Sequence, residues 1–195
     1  MDPRQHLLGL LERHAAHDER EAEMLTRLKG FVQGSVSALD WRNAEGHVTG
    51  SAWVLDPGAS RVLLTFHSKL GRWLQLGGHV EDDETVLEAA VREAREESGI
   101  PGIRIGSAGE APGGGIFDVD IHLIPARGTR TAHWHYDVRF LCVGPAEAPV
   151  ASAESREVAW VELEDVTRLN ADESMRRMVE KTLHHRSTLD RYRSA

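Results

Sequence analysis

Apolar residues recur every three or four positions in two segments near the start of the chain. Leu7, Leu8, Leu10 and Leu11 do so in residues 3–15, and Met24, Leu25, Leu28, Phe31 and Val32 in residues 18–33. That spacing places each set on one helical face, and the His17-Asp18 break between them predicts a helical hairpin. From Val48 the pattern changes to that of strands: VTGSAWVL, then RVLLTFH beyond the turn residues Asp56-Pro57-Gly58. A further helix, two alternating strands (IFDVDIHLIP and HWHYDVRFLC), a short strand in REVAWVEL and a basic amphipathic helix near residues 171–186 complete the order. Strands and helices mix without a βαβ rhythm, which predicts a mixed sheet with helices packed on it. There is no internal repeat, and Gly113-Gly114-Gly115 is the longest low-complexity run. We divide the chain into an N-terminal helical extension, residues 1–45, and a main domain, residues 46–195.

A chain of 195 residues suffices for one full domain and a short appendage. Its formal net charge is −8, and most of that excess lies between Gly78 and Ile100, where eight carboxylates face only Arg92 and Arg95. A general acidic tilt serves solubility; a local one points to a bound cation and argues against duplex nucleic acid as the main partner. Cys142 is the only cysteine, which excludes an internal disulfide, and no apolar run is long enough to span a membrane or form a signal core. The expected location is the cytoplasm.

The acidic stretch has helical punctuation. Thr85-x-x-Glu88 is a capping box, Asp82 to Glu84 lie where a helix dipole favours anions, and Gly99 followed by Pro101 ends the helix. Leu87, Ala90, Val91 and Ala94 form the expected apolar stripe, while Glu93, Glu96 and Glu97 project together from an adjacent side. Like charges at that spacing destabilise a helix unless something positive binds them, and a hard divalent cation with oxygen ligands is the natural occupant. The plain alternative is a solvated, salt-bridged face, for which Glu88 and Arg92 have the right spacing.

Gly78-x5-Glu84-x7-Arg92-Glu93-Ala94-Arg95-Glu96-Glu97-Ser98-Gly99-Ile100 resembles the Nudix box, the signature of the Nudix hydrolase superfamily, with Ala94 standing where a larger aliphatic residue is usual and Leu76 replacing a frequent Pro. The resemblance covers about His47 to Val166 and gives the first forty or so residues no role. It implies an α/β (α+β) fold, a Nudix-like α/β/α sandwich with a mixed sheet, here carrying the N-terminal helical hairpin in addition. It also implies a pyrophosphohydrolase that uses Mg²⁺ or Mn²⁺ to cleave a diphosphate linkage in a nucleoside diphosphate joined to another moiety. By position, Glu93, Glu96 and Glu97 would hold the metal with the Gly78 carbonyl, and Glu84 and Arg92 would orient loop and helix. The family's base outside the box usually comes from a later loop, where Glu154 and Glu157 are both candidates. An isomerase of the isopentenyl diphosphate type shares the fold but needs a catalytic Cys near the site. A non-catalytic nucleotide-sensing module is disfavoured because all three glutamates are present. The substrate class stays open among triphosphates, dinucleoside polyphosphates and nucleotide sugars. ADP-ribose is not claimed, since Gly115-Ile116-Phe117 occupies the place of a Pro found in such subfamilies, with Pro112 too early and Pro125 too late. A homodimer is left open.

Two strands deserve separate weight. Asp118, Asp120 and His122 share one face of IFDVDIHLIP, and His133, His135, Asp137 and Arg139 share one face of HWHYDVRFLC. Paired as an antiparallel hairpin, they would set two ionisable faces side by side. A solvent-facing sheet surface is the ordinary explanation, but His and Asp coordinate metals, bind phosphates or shuttle protons, so we expect a cleft-lining face. His79, directly after the glycine pair, is a further substrate-binding candidate. Trp73, Phe117, Trp134 and Tyr136 offer faces for stacking a base. Cys142 is expected in the core. The C-terminal helix, with Arg176, Arg177, Lys181, His184, His185 and Arg186 around Met175, Met178, Val179 and Leu183, is expected to be a surface helix.

Overall fold

Strand β1 (Gly46–Leu55) is buried along its whole length, and the rest of the molecule is assembled around it. The computed structural model describes residues 2–67, 71–106, 114–150 and 157–184. Glu154, Pro112, Gly113, His185 and Arg186 lie outside the described residues. Helices α1 (Pro3–Arg13) and α2 (Glu19–Gly34) form the expected hairpin, capped by Asp2 and Asp18, whose side chains accept from the Arg4 and Glu21 amides. Then follow β1, β2 (Arg61–His67), β3 (Arg72–Leu74), β4 (Leu76–His79), α3 (Val86–Ser98), β5 (Arg104–Ile105), β6 (Ile116–Ile124), β7 (His133–Val143), β8 (Val158–Glu162), α4 (Val166–Leu169) and α5 (Glu173–His184).

These strands make one mixed sheet of eight. Among the described residues its only parallel pairing joins β1 to β7, from Gly46 opposite Trp134 to Leu55 opposite Val143; the other pairings are antiparallel. One sheet face carries Val48, Ala52, Val54, Val138, Phe140 and Cys142, and packs with α3 and with Leu7, Leu11 and Leu28 of the hairpin in one apolar cluster. The other face carries Trp53, Leu55, Phe117 and Leu141 against Val166, Met175 and Met178 of the C-terminal helices. The expected sandwich of mixed sheet between helices is therefore present. Among the described residues no helix is long and apolar enough to cross a membrane.

The stripe of α3 differs from the sequence reading. Val86, Ala89, Ala90 and Ala94 are its buried apolar residues, and Leu87 and Val91 are only partly buried. The cause is close approach: a Cβ on Gly50 would stand 2.5 Å from the Val86 carbonyl oxygen and 3.1 Å from the Ala90 nitrogen. With its backbone so near the sheet, the helix puts alanines innermost and its larger residues at the flanks.

Helix α5 is a second correction. It is not a surface helix held by an apolar stripe alone, because Arg177 and Lys181 are 2% and 5% exposed and point inward. Lys181 Nζ lies 2.7 Å from Glu21, 2.8 Å from Asp118 and 2.8 Å from the Phe117 carbonyl. Arg177 grips both oxygens of Asp118, at 2.7 and 3.0 Å. Arg139 reaches Asp118 at 3.2 Å and Asp137 at 2.8 Å, and Asp137 also accepts from Thr49, Ser51 and Gln75. This buried network joins α2, β1, β6, β7 and α5.

Removing one member of such a network leaves buried charge uncompensated. We expect Asp118→Ala to lose about 3–5 kcal/mol of stability, read from the denaturant midpoint; a loss within the range of surface substitutions would refute the network's role. Burial pushes the Glu21 carboxyl up, but the hydrogen bond from His14 and the Lys181 charge outweigh it and hold the pKa down at about 2, against an ordinary 4.5. A depressed carboxyl stabilises the fold above its unfolded pKa and ceases to do so as pH falls through its folded one. Glu21 should therefore contribute fully above pH 4.5 and lose about 3 kcal/mol of that contribution by pH 2, and Glu21→Gln should flatten the acid limb of the stability curve.

Candidate active site

The acidic helix is held at its start by its own side chains. The Thr85 amide donates to Glu88 at 2.9 Å and the Glu88 amide to the Thr85 hydroxyl at 3.2 Å, while Gly99 closes the other end at φ 66°, where a side chain would be strained. From this helix Glu93, Glu96 and Glu97 face a cleft of about 720 Å³, whose walls also include His79, Trp41 and Arg42. That volume lies within the range of small-molecule sites, about 300–1,000 Å³.

Arg92 sets the geometry. Its guanidinium donates to Glu84 twice at 3.0 Å, to Glu93 at 2.9 Å, to Glu96 at 3.2 Å and to the His79 carbonyl at 3.0 Å. Those bonds, Glu84's foremost, push its pKa above the ordinary arginine value. One cation thus ties the Glu84 loop, β4 and α3 together and offsets part of the carboxylate repulsion. The Gly77 amide donates to Glu97 at 3.1 Å. Gly78 leaves the space that Glu93 fills, since a Cβ there would stand 2.4 Å from the Glu93 carboxyl. The three carboxylates facing the cleft offer oxygen atoms only, of the kind hard divalent cations take, so their chemistry fits such an ion.

The ionisable hairpin pairs antiparallel as expected, with Asp120 opposite Asp137 and His122 opposite His135, and β1 extends the pattern because His47 pairs with His135, Thr49 with Asp137 and Ser51 with Arg139. The face is divided, however. Asp118, Asp137 and Arg139, at 0%, 2% and 3% exposure, belong to the buried network and not to the cleft wall expected for them. Asp120 is partly buried beside Arg139; burial pushes its carboxyl up, and the Arg139 charge with the His122 hydrogen bond brings it down to about 2. At the other end, His122, His133 and His135 gather with His47 and His79, with neighbouring ring centroids 4.5–5.9 Å apart. Burial, then neighbouring rings, holds His47 down to about 3 and His135 to about 2, so both are neutral near pH 7.

The proposed stacking residues are used elsewhere. Phe117 is core, Trp73 packs against that core, and Tyr136 lies parallel to Phe31 at 4.1 Å; Trp134 lies under Arg27. The aromatic in the cleft is Trp41, with the Arg42 and Arg130 guanidinium carbons 4.7 and 5.5 Å from its ring centroid. Trp41 and His47 were both missed: each stands outside the motif, and only the register of β1 with β7 reveals the partners of His47. Glu157 is exposed, and its carbonyl accepts from the Phe66 amide. Cys142 is fully buried, and burial pushes its thiol up to about 12, so it offers no thiolate nucleophile.

A family model described as NUDIX domain matches residues 46–182. Among solved structures, the fold is similar to a NUDIX-family hydrolase from Clostridium perfringens, with 22% identity over 71% of this chain and 97% of that one, at a TM-score of 0.52. It is also similar to the Ap4A hydrolase of C. elegans in a binary complex, with 19% identity over 72% and 98% and a TM-score of 0.51. A third similar structure is the E. coli dihydroneopterin triphosphate pyrophosphohydrolase, with 18% identity over 69% and 92% and a TM-score of 0.50. No curated protein matches the sequence.

The two close-packed glycines should respond differently to alanine. In Gly78→Ala the atoms nearest the new methyl belong to the movable end of Glu93, so the protein should fold with a nearly unchanged melting temperature while Mn²⁺ affinity drops about tenfold or more. In Gly50→Ala the methyl meets the backbone of α3, and the melting temperature should fall by several degrees. Unchanged Mn²⁺ binding in Gly78→Ala would remove Glu93 from the expected metal ligands.

Proposed function

Because the chain belongs to the Nudix family, we propose that it is a metal-dependent pyrophosphohydrolase acting on a nucleoside diphosphate linked to another moiety, of the nucleotide-sugar, dinucleotide or nucleoside triphosphate type. The observation that carries this reading is the convergence of Glu93, Glu96 and Glu97 on one cleft, with Arg92 already serving Glu93 and Glu96 as a counter-charge. Mg²⁺ or Mn²⁺ would be held by these three carboxylates and the Gly78 carbonyl, supplying charge against phosphate oxygens and acidity to water.

The chain's own residues do the positioning. Arg92 fixes Glu93 and Glu96 from one side, and the Gly77 amide fixes Glu97 from the other. Trp41 stacks with the His79 ring, centroids 5.8 Å apart, and Arg42 beside it brings positive charge to the same wall for phosphate. A proton acceptor outside α3 is assigned to Glu154 or Glu157, and single substitutions at each decide between them. No side chain acts as a nucleophile in this scheme, in keeping with the burial of Cys142.

The experiment is product release from a panel of nucleoside triphosphates, dinucleoside polyphosphates and nucleotide sugars with Mg²⁺. Turnover of at least one class is expected, ending on chelation. Glu96→Gln and Glu97→Gln should each lower kcat by at least about a hundredfold, with the fold intact and the metal-free protein as stable or slightly more so, because repulsion on α3 is relieved. Full activity in either variant, or activity that survives thorough chelation, refutes the assignment.

A further inference from the structure

The histidine cluster lies on the opposite face of β1 and β7 from α3, and its chemistry differs from that of the carboxylates. His47 and His133 are 0% and 3% exposed. Both ring nitrogens of His47, and Nε2 of His133, are buried without a hydrogen-bond partner. Buried polar atoms are almost always partnered, so three such atoms in two neighbouring rings call for an explanation.

The tautomer of His133 follows from its one partner. Its Nδ1 lies 2.9 Å from the Thr131 carbonyl oxygen, which can only accept, so Nδ1 carries the proton, and in the neutral ring Nε2 is then the nitrogen with the lone pair. An imidazole oriented by a backbone carbonyl through one nitrogen, with the other left as a donor atom, is the usual arrangement of a metal-ligating histidine. His135 stands two residues along β7 on the same face, and His47 is its direct partner across the parallel pairing. Among the described residues, His47, His133 and His135 are the one group of three whose possible ligand atoms all lie within 4.8 Å of one another. A tetrahedral ion with metal–nitrogen bonds of about 2.0–2.1 Å needs its ligand nitrogens about 3.4 Å apart, so binding would draw the three rings somewhat closer together.

We propose that His47, His133 and His135 form a binding site for a borderline transition-metal ion of the Zn²⁺ class, separate from the oxygen ligands on α3. Three neutral imidazoles suit Zn²⁺, Co²⁺ or Ni²⁺ and are poor ligands for Mg²⁺, so the two donor sets select different ions. Three histidines also leave a fourth position open, as in catalytic zinc centres. His79 bears on that position: its ring centroid is 4.9 Å from that of His47, and it lines the acidic cleft. An ion held by the histidines would place further positive charge beside the substrate. The site does not depend on the hydrolase reading.

The test uses the full chain, stripped with chelator and kept in saturating Mg²⁺, titrated with Co²⁺ and then Zn²⁺. One equivalent of Co²⁺ should bind with the visible ligand-field absorption of a low-coordinate imidazole site, Zn²⁺ should displace it, and Zn²⁺ should raise the melting temperature. His133→Ala should weaken binding by about a hundredfold or more, and Glu96→Gln should leave it unchanged. Should His133→Ala fail to fold, His135→Ala, at a half-buried ring, serves in its place. The proposal is overturned if the wild type takes up no Co²⁺, if uptake is undiminished in the histidine variant, or if uptake is lost in Glu96→Gln. Failure of the hydrolase reading is distinguishable, because it appears in turnover and leaves the cobalt spectrum untouched.

Discussion

Four carboxylates and three cations share the interior between α2, the sheet and α5, and burying them together constrains the whole molecule. Each ion costs several kcal/mol to remove from water unless it is closely paired, and here the pairs come from distant parts of the chain. Glu21 is in the N-terminal hairpin, Asp118, Asp120, Asp137 and Arg139 are on β6 and β7, and Arg177 and Lys181 are on α5. A one-residue slip of either strand would turn its charges into the apolar cluster on the opposite face. A missing α5 would leave Asp118 without two of its three cationic partners. The hairpin and the C-terminal helix are thereby locked to one register of the sheet, and the residues beside the cleft inherit that rigidity.

The site uses the same physics with less burial. Glu84 and Glu93 are mostly shielded, at 15% and 18% side-chain exposure, whereas Glu96 is 62% exposed. Arg92 is bonded to all three, so the carboxylates that repel one another most strongly are positioned before any metal arrives. Such preorganisation lowers the cost of collecting ligands around an ion.

Local signals made the helices and the acidic site legible in the sequence. The capping box at Thr85, the stop at Gly99 and the spacing of Glu93, Glu96 and Glu97 are short-range features that need no knowledge of the rest of the chain. The alternation that assigned one face to Asp118, Asp120, His122, His133, His135, Asp137 and Arg139 was readable for the same reason. What covers that face was not readable, because it depends on α5, whose Arg177 and Lys181 look in sequence like any basic surface positions. His47 was hidden by the parallel pairing of β1 with β7, a contact between residues more than eighty positions apart that no local pattern announces. Trp41 was hidden differently: it lies between the helical hairpin and the first strand, where there is no period to interpret.

The two donor sets are kept apart by the alternation of β4. Gly78 faces α3, where the missing side chain makes room for the Glu93 carboxylate. His79, one residue on, pairs with Thr49 and turns to the opposite face, towards His47 and His135. Successive residues of one four-residue strand therefore address an oxygen-rich site and a nitrogen-rich one. Because the same backbone carries both, a shift of β4 that drew His79 towards the histidines would also draw Gly78 away from Glu93. Any ion on the imidazole side would meet a substrate by its charge, because His79, beside His47, also lines the acidic cleft.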